Sequence, residues 1–542
     1  MQHDSQSGRL TRRTFLTAVG AGALATTAHG HLLPPAARAE HTRPRRFVIR
    51  EDRFGRMFPT LDPFFREVSP RLLNALREIG KPGGVLDAND NLAAGPIALI
   101  VDPALNVNNP NHPLFSAGVT FMGQFLDHDM TFDLTSRLGK PAEPLDSPNA
   151  RTPAFDLDSV YGGGPLASPE LYEPVDRRRT PTRLRIESGG LFEDLPRQAD
   201  GSAIIADPRN DENLMIAGLQ AAFIKFHNRL VDILSRDRRD PDEIYRKARQ
   251  LTTWHYQWMI VHEFLPLFVG QQTVTDILRN GRKFYRPDVG FIPVEFQGAA
   301  YRFGHSLVRP SYRANLLGDV DAGGNPAPFF AMIFDPVGEG QADPVDLRGG
   351  ARARRRFIGW QTFFDFGDEP RPGGAGGTLG EDVRPTKLID TTISTPLFNL
   401  PLGAIASGDP PTALPQRNLL RHVTWSLPSG QDIARHMRVP ALGARDFPEL
   451  REFGLGLAES TPLWYYVLRE ARVVDGGVHL GPVGGRIVGE VFIGLLQLDR
   501  DSYFSQRGWR PVLPARSGRV TGDFRMVDFL AFAGVDPASR GQ

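Results

Sequence analysis

Apolar residues recur at three- and four-residue steps along most of the chain after Phe47, which is the spacing of one face of a helix. In residues 212–235 this face includes Leu219, Phe223 and Phe226. The same pattern predicts further helices at 114–130, 242–267, 294–308, 431–438 and 484–498. Alternating patterns typical of strands are few, so we predict a mainly α fold, a single large helical domain at 47–537 with very little β structure.

The bulk composition narrows the possible functions. The 542-residue chain is 41% hydrophobic and 23% charged, which is typical of globular proteins. Its net charge of +1 gives no reason to expect nucleic acid as a partner, and no apolar run in the body of the chain is long enough to span a membrane. Cysteine is absent, which excludes disulfides, thiolate catalysis, iron–sulfur clusters and cysteine-bound zinc. Metal chemistry would therefore depend on histidine, carboxylate or backbone ligands, or on a cofactor.

Residues 1–39 have the order of parts found in an export signal. Arg12 and Arg13 precede an apolar stretch rich in alanine and glycine, and Ala-Arg-Ala at 37–39 offers small residues for cleavage. This order resembles a bacterial twin-arginine signal, and an ordinary secretory signal or a chance basic start is the alternative. We therefore expect 1–39 to be removed, 40–46 to be a polar leader, and the protein to be exported by the twin-arginine machinery to the periplasm or the cell exterior.

The sequence GQFLDHDM, at 123–130, places charged groups on a strongly apolar helix. On a helix, Gln124, Asp127 and His128 share one side, whereas Asp129 lies about 100° further round. The two aspartates therefore face different neighbours. The alternative interpretation is a polar helix end with a hydrogen-bonded histidine.

Two further segments carry candidate active-site residues. Arg209 and Glu212 stand three residues apart where a helix should begin. A buried arginine there would be a permanent positive charge, and a surface ion pair is the alternative. His305 follows Gly304, which permits another group to approach closely, although a histidine that simply packs in the core is the commoner case.

Oxygen-bearing side chains alternate along the segment RTPAFDLDSVYGG at 151–163. Thr152, Asp156 and Asp158 occupy positions of the same parity within seven residues. Such hard oxygen ligands suit Ca²⁺, although the glycine and terminal glutamate of an EF-hand are absent. A solvated acidic turn is the alternative.

Taken in order, five motifs resemble one protein family. They are GQ-x-x-DHD at 123–129, T-P-x-F-D-x-D-S-x-Y-G at 152–162, R-x-x-E at 209–212, R-x-G-H at 302–305 and N-x-x-R at 418–421. This order is similar to that of the animal-type haem peroxidases of the peroxidase–cyclooxygenase superfamily, and to their bacterial branch in particular. The resemblance extends from about residue 50 to about residue 505.

The resemblance implies haem b in a helical fold, with the reacting peroxide on the distal side of the haem. His128 would be the distal acid–base, Gln124 its neighbour in the cavity, and Arg209 the distal arginine. Such an enzyme reduces H₂O₂ through a ferryl intermediate. It then oxidises small donors, which are phenolic and aromatic compounds or halides and thiocyanate.

On the proximal side the resemblance implies that His305 binds the iron and that Asn418 hydrogen-bonds its second ring nitrogen. Arg302 and Arg421 would meet the haem propionates. Two residues match the positions that form ester bonds to haem in some members of the family: Asp127 and Glu212. Five residues match the calcium site: Asp129, Thr152, Ala154 through its carbonyl, Asp156 and Asp158.

The chain also departs from the family pattern in two places. The family often continues with R-G-R after the proximal asparagine, whereas His422 and Val423 stand in the second part here, so one arginine at the haem edge is not expected. Asn213 occupies the position of a methionine that one mammalian branch bonds to haem. No sulfonium link is therefore expected.

Two alternative functions stay open. A fatty-acid dioxygenase of the same superfamily would use a tyrosine three residues before the proximal histidine, where this chain has Arg302, with Tyr301 beside it. A catalytically inactive secreted haem- or calcium-binding protein would have lost a catalytic residue, and none is lost here. The sequence indicates neither the electron donor nor the oligomeric state.

Overall fold

A computed structural model of the chain describes residues 52–175, 181–188, 193–237, 240–367, 383–405, 407–506, 508–515 and 522–535. The export signal predicted at 1–39 and the leader at 40–46 lie outside these described residues. The extent of a single domain at 47–537 stays a prediction.

The structure is mostly helical, with 46% helix and 11% strand, which confirms the predicted fold class. The apolar periodicity accounts for this, because each long helix buries one face against its neighbours. The α-helices are α1 Pro70–Ile79, α2 Gly95–Val101, α3 Ala117–Met130, α4 Asp158–Tyr161, α5 Leu214–Leu234, α6 Pro241–Met259, α7 Leu265–Val269, α8 Gln271–Asn280, α9 Val294–Gln297, α10 Leu414–Thr424, α11 Gly430–Met437, α12 Leu463–Asp475, α13 Pro482–Leu498 and α14 Met526–Ala533.

The described strands form four two-stranded sheets. One pair is parallel, β1 (Phe54–Gly55) with β5 (Ile292–Pro293). The antiparallel pairs are β2 (Asn111–Ser116) with β8 (Pro385–Lys387), β3 (Glu187–Ser188) with β4 (Glu193–Asp194), and β6 (Ser311–Val320) with β7 (Pro326–Met332).

Two predicted helices differ from the structure in instructive ways. The helix predicted at 114–130 begins at Ala117, because the preceding residues form β2 and pair with β8. The helix predicted at 294–308 stops at Gln297 and is followed by a 3₁₀ segment, Ala300–Leu307. The break lies at Gly298 and Ala299, where the backbone of Ala299 (φ −143°, ψ −73°) leaves the helical region.

Helix α3 is held tightly on several sides. Its first amides have backbone partners, since Ala117 N donates to the Arg384 carbonyl and Gly118 N to the Phe363 carbonyl, at 2.8 and 3.0 Å. Phe125 stacks on Phe223 of α5 with ring centroids 4.6 Å apart. Truncating Phe223 to alanine would cost about 3–5 kcal/mol of stability and loosen α3.

Candidate active site

A cavity of about 270 Å³ opens between α3, the turn that precedes α5, the 3₁₀ segment 300–307 and α10. Residues from widely separated parts of the chain meet at its wall. Eight of the predicted site residues line it: Gln124, Asp127, His128, Arg209, Glu212, Arg302, His305 and Arg421. Asn418 contacts His305 directly.

His128 enters the distal end of the cavity as a neutral imidazole. Its Nδ1 lies 2.9 Å from Asn210 Oδ1, and the Asn210 amide nitrogen donates to Gln220 Oε1 at 2.9 Å. The amide oxygen of Asn210 must therefore accept from His128, which places the imidazole proton on Nδ1 and a lone pair on Nε2. Burial, aided by the charge of Arg209, lowers the pKa of His128 to about 4.

Glu212 faces His128 across the cavity, with Oε1 3.7 Å from His128 Nε2. Gln124 donates a hydrogen bond to the same carboxyl oxygen. Burial raises the pKa of Glu212 to about 8, although Arg209 opposes the shift. At neutral pH this carboxyl group is therefore mostly protonated, and it can donate as well as accept a hydrogen bond.

Arg209 is held by a buried carboxylate. Its Nε donates to Asp207 Oδ1 at 3.0 Å and its Nη2 to Asp207 Oδ2 at 2.8 Å, a bidentate pair. Nη2 also donates to the carbonyls of His128 and Thr131, at 3.0 and 2.7 Å. The guanidinium lies over the Phe132 ring, 4.1 Å from its centroid. These contacts fix the side chain, and Nη1 lies 3.8 Å from Asp127 Oδ2 at the cavity wall.

At the opposite, proximal end, His305 is buried beside Asn418. His305 Nδ1 lies 2.7 Å from Asn418 Nδ2, and Asn418 Oδ1 accepts from Arg302 Nη1 at 3.3 Å. Burial and the nearby charge of Arg302 lower the pKa of His305 to about 3. The ring is therefore neutral at physiological pH.

Positive charge collects at this proximal end. Arg302, Arg417 and Arg421 all line the cavity. Burial together with the charge of Arg421 lowers the pKa of Arg302 to about 9. Asp133 is the paired carboxylate, since Arg421 Nη1 donates to it at 2.6 Å. An anionic group placed here would relieve the repulsion between the guanidinium groups.

An acidic cluster lies on the other side of α3, where the sequence predicted a calcium site. Carboxylate oxygens of Asp129, Asp156 and Asp158 lie within 4.8 Å of one another. Burial, then repulsion from its neighbours, raises the pKa of Asp129 well above its usual value. Thr152 N donates to Asp158 Oδ2 at 2.9 Å, and the Thr152 carbonyl accepts from Ala154 N at 2.7 Å. The structure therefore places the five predicted ligand residues at the end of α3, on the loop 152–156 and at the first residue of α4.

Three residues without a predicted role lie in or against this site. Asp207 clamps Arg209, Asn210 sets the tautomer of His128, and Arg417 adds to the proximal charge. The signal for the first two was present in DPRNDEN, two residues before Arg209 and one after it. Their distant partners, Arg151 for Asp207 and His128 for Asn210, could not be read from that segment.

Part of the chain that contributes to this site is similar to known proteins. Residues 135–337 match the family model described as animal haem peroxidase. This part of the chain is therefore similar to the animal haem peroxidase family. The matched segment contains Arg209, Glu212, Arg302 and His305, whereas His128 and Asn418 lie outside it.

Curated relatives of this family are similar over part of the chain. "Probable oxidoreductase PXDNL" of Homo sapiens is 31% identical over 237 residues, which are 39% of this chain and 16% of that protein. Eosinophil peroxidase of Homo sapiens is 29% identical over 152 residues, 27% of this chain and 21% of that protein. The chain thus spans less than a quarter of the length of either relative.

A solved structure shares the fold. The fatty acid alpha-dioxygenase of Oryza sativa has a TM-score of 0.50 and 16% identity, and the alignment covers 72% of this chain and 70% of that chain. At this identity the likeness concerns the fold alone. None of the described helices has both the length and the apolar character that crossing a membrane requires.

Proposed function

We propose that this protein is a haem peroxidase of the bacterial branch of the family, which reduces H₂O₂ and oxidises small donors. One observation carries the proposal. A neutral imidazole with a bare nitrogen, His128, and a clamped guanidinium, Arg209, face the same cavity as the buried His305. This is the combination that cleavage of a peroxide bond requires.

The residues at the proximal end fit a haem. His305 is a neutral imidazole that could bind iron through Nε2, and Arg302, Arg417 and Arg421 would suit the two propionates. Asn418 donates its amide nitrogen to His305 Nδ1. Iron binding through Nε2 requires the opposite orientation of this amide, with its oxygen accepting from Nδ1, and a half-turn of the side chain provides it.

Bound haem would supply an iron that takes one peroxide oxygen and the redox equivalents for oxidising donors. His128 Nε2 would accept the proton from the oxygen that approaches the iron and return it to the leaving oxygen, which departs as water. Arg209 would stabilise the negative charge that develops on the leaving oxygen. Gln124 would hold the peroxide by a hydrogen bond during this transfer.

The matched pair His128→Ala and His255→Gln tests the proposal. Both histidines are buried with pKa values lowered to about 4, but His255 does not line the cavity. In haem-loaded protein, H₂O₂ should shift the Soret band of the wild type and of His255→Gln. His128→Ala should retain haem yet react about 10²–10⁴ times more slowly, as for loss of a general acid–base. Normal peroxide kinetics in His128→Ala would overturn the assignment.

The proposal extends to a Ca²⁺ ion at the acidic cluster, with ligands from Asp129, Thr152, the Ala154 carbonyl, Asp156 and Asp158. Three carboxylates within 4.8 Å of one another, of which those of Asp129 and Asp158 are buried, repel each other unless a cation or protons neutralise them. Ca²⁺ at 100 times its Kd should stabilise the fold by about 2.7 kcal/mol.

Chelation tests the Ca²⁺ site. A chelator should lower the melting temperature, added Ca²⁺ should restore it, and Asp158→Asn should remove the Ca²⁺ effect. A melting temperature that does not respond to chelator or to Ca²⁺ would contradict the assignment of calcium.

Ester bonds from Asp127 and Glu212 to haem methyl groups are part of the same proposal, since both side chains line the cavity. Haem that stays with the protein after acid–acetone extraction, and leaves it in Glu212→Gln with Asp127→Asn, would support them. The donors proposed are phenols, aromatic compounds, halides or thiocyanate. Export by the twin-arginine machinery to the periplasm or cell exterior is also proposed, on the basis of residues 1–39.

The fatty-acid dioxygenase alternative has one observation in its favour, the fold shared with such an enzyme. Tyr301 does line the cavity, but its hydroxyl donates to the Gly123 carbonyl at 2.8 Å. Burial raises the pKa of Tyr301 well above its usual value. This tyrosine is therefore held against α3, which favours the peroxidase. Oxygen uptake with a polyunsaturated fatty acid, in the absence of peroxide, would reverse the preference.

A further inference from the structure

A row of four alternating charges connects the acidic cluster to the distal arginine through the protein interior. Asp158 Oδ1 lies 3.6 Å from Arg151 Nη1, and Arg151 Nε donates to Asp207 Oδ2 at 2.7 Å. The same Asp207 oxygen accepts from Arg209 Nη2 at 2.8 Å. Asp207 is 0% exposed and Arg151 is 7% exposed, so water screens these contacts little.

We propose that Arg151 and Asp207 are positioning residues, which couple the acidic cluster to the orientation of the Arg209 guanidinium. The inference rests on the proposed peroxidase function. It adds a role for two residues that do not line the cavity.

The contacts of Arg209 show which of its guanidinium nitrogens is available to the cavity. Its Nε and Nη2 are both occupied by Asp207, and Nη2 also by two carbonyls. Among the described residues, Nη1 has no hydrogen-bond partner and has Asp127 Oδ2 as its ion-pair neighbour at 3.8 Å. The contacts with Asp207 thus leave Nη1 of the guanidinium available to a ligand in the cavity.

Arg151, the second partner of the Asp207 carboxylate, determines how firmly Asp207 holds Arg209. Burial alone would raise the pKa of Asp207, but Arg151 and Arg209 outweigh it and keep the carboxylate ionised. Arg151 is itself fixed by a bond to the Ala206 carbonyl at 2.9 Å and lies 5.8 Å from the centroid of the Phe132 ring that Arg209 also covers. Without Arg151, Asp207 could turn toward Arg209 and draw Nη1 away from the cavity.

The decisive variant is Arg151→Met, with Arg249→Met as its matched control. Arg249 is an arginine on the other flank of the cluster, with Nη2 3.4 Å from the Asp156 carbonyl and the guanidinium over Tyr161. No hydrogen bond or ion pair joins it to Asp207 among the described residues. Both variants remove one positive charge beside the cluster, but only Arg151→Met removes the link to Arg209.

Fluoride binding to ferric haem-loaded protein measures the orientation of Arg209 without turnover, because an anion on the iron accepts a hydrogen bond from the distal arginine. Arg151→Met should weaken fluoride binding about tenfold, as expected for loss of one charge-assisted hydrogen bond. Arg249→Met should stay within about twofold of the wild type, and Arg151→Lys should recover part of the loss.

A second measurement, Ca²⁺ titration of haem-free protein, is independent of haem. In Asp207→Asn, Arg151 loses its anion, moves closer to Asp158 and should weaken Ca²⁺ binding. In Arg209→Met, Asp207 has Arg151 alone as its partner, and Ca²⁺ binding should become tighter. Each change should be about threefold to tenfold. A purely structural role would lower the affinity in both variants.

These outcomes separate the inference from the proposed function. A wild type that binds no haem, or whose Soret band does not shift when H₂O₂ is added, contradicts the peroxidase function. The Ca²⁺ titrations then still test the coupling, because they use haem-free protein. Folded Arg151→Met protein that binds fluoride like Arg249→Met overturns the coupling while the peroxidase function stands. Changes in Ca²⁺ affinity of the same sign in Asp207→Asn and Arg209→Met overturn it as well.

Discussion

The two histidines of the cavity each meet an asparagine at Nδ1, but the two asparagines present opposite atoms. Asn210 turns its oxygen to His128, because its amide nitrogen is engaged by Gln220. Asn418 turns its nitrogen to His305, because its oxygen accepts from Arg302. A second partner, not the histidine itself, decides each orientation.

Because of this difference, only one of the two histidines already has the tautomer that its proposed role requires. The distal end already holds the tautomer that a base requires, with Nε2 bare. At the proximal end the tautomer depends on Arg302, and an anion that engaged Arg302 would leave Asn418 Oδ1 available to His305. In the proposed enzyme, iron binding by His305 would therefore depend on occupation of the arginine cluster, whereas proton transfer by His128 would not.

The largest effect expected from this contrast is on haem affinity. His305→Ala should weaken haem binding more than about 100-fold, because it removes the proposed iron ligand itself rather than an outer partner. His128→Ala should change haem affinity by less than about twofold. Absorbance titration of haem-free protein with haem measures both. Equal losses in the two variants would show that the cavity ends do not differ as described.

Arg302→Met should give the next largest effect, and it should depend on the propionates. With haem, affinity should fall about tenfold, since a charge-assisted contact is lost. With haem dimethyl ester, which has no carboxylates, the variant should bind at least as well as the wild type, because Asn418 is released. Equal losses with both ligands would mean that Arg302 does not control Asn418.

Asn210 should give a smaller effect, confined to the reaction with peroxide. Asn210→Leu removes the acceptor from His128 Nδ1 and should slow the reaction about fivefold, within the range of one neutral hydrogen bond. Asn210→Asp retains an acceptor and should react faster than Asn210→Leu. Stopped-flow measurement of the Soret shift decides this. A rate for Asn210→Leu equal to that of the wild type would place the control of the tautomer elsewhere.

The smallest effect is expected for pH: near neutrality, the rate at which the wild type reacts with peroxide should hardly change. Burial lowers the pKa of His128 to about 4, so the imidazole stays unprotonated until the pH falls through that value. The rate of reaction with peroxide should be nearly constant from about pH 7 to about pH 5 and fall to half near pH 4. A midpoint near the ordinary histidine value, about 6.5, would mean that His128 is more solvated than the structure shows.

Much of the helical framework could be predicted from apolar spacing, and the exceptions have local causes. Helices α5, α11 and α13 lie within two residues of their predicted bounds. The hairpin of β6 and β7 was missed, because its strands contain Asn315 and Gly318, which interrupt strict alternation. The helix predicted at 294–308 breaks because the Ala299 backbone (φ −143°, ψ −73°) leaves the helical region.

The site residues that belong to sequence motifs could be predicted. Those defined only by contacts between distant segments could not. Motif order indicated His128, Arg209 and His305, and the structure gathers them at one cavity. Their roles in catalysis stay predictions. The link from Arg151 to Asp207 joins segments 56 residues apart, and no periodicity reports such a contact.

Helix α3 carries side chains for two sites at fixed angles, with His128 toward the cavity and Asp129 toward the acidic cluster. Inserting or deleting one residue between Gln124 and Asp129 would rotate everything beyond it by about 100° and would misdirect both side chains at once. Such a length change could not be repaired by a second substitution nearby. Over evolutionary time, this stretch should therefore keep its length while the exposed turn at 321–325 gains and loses residues without penalty.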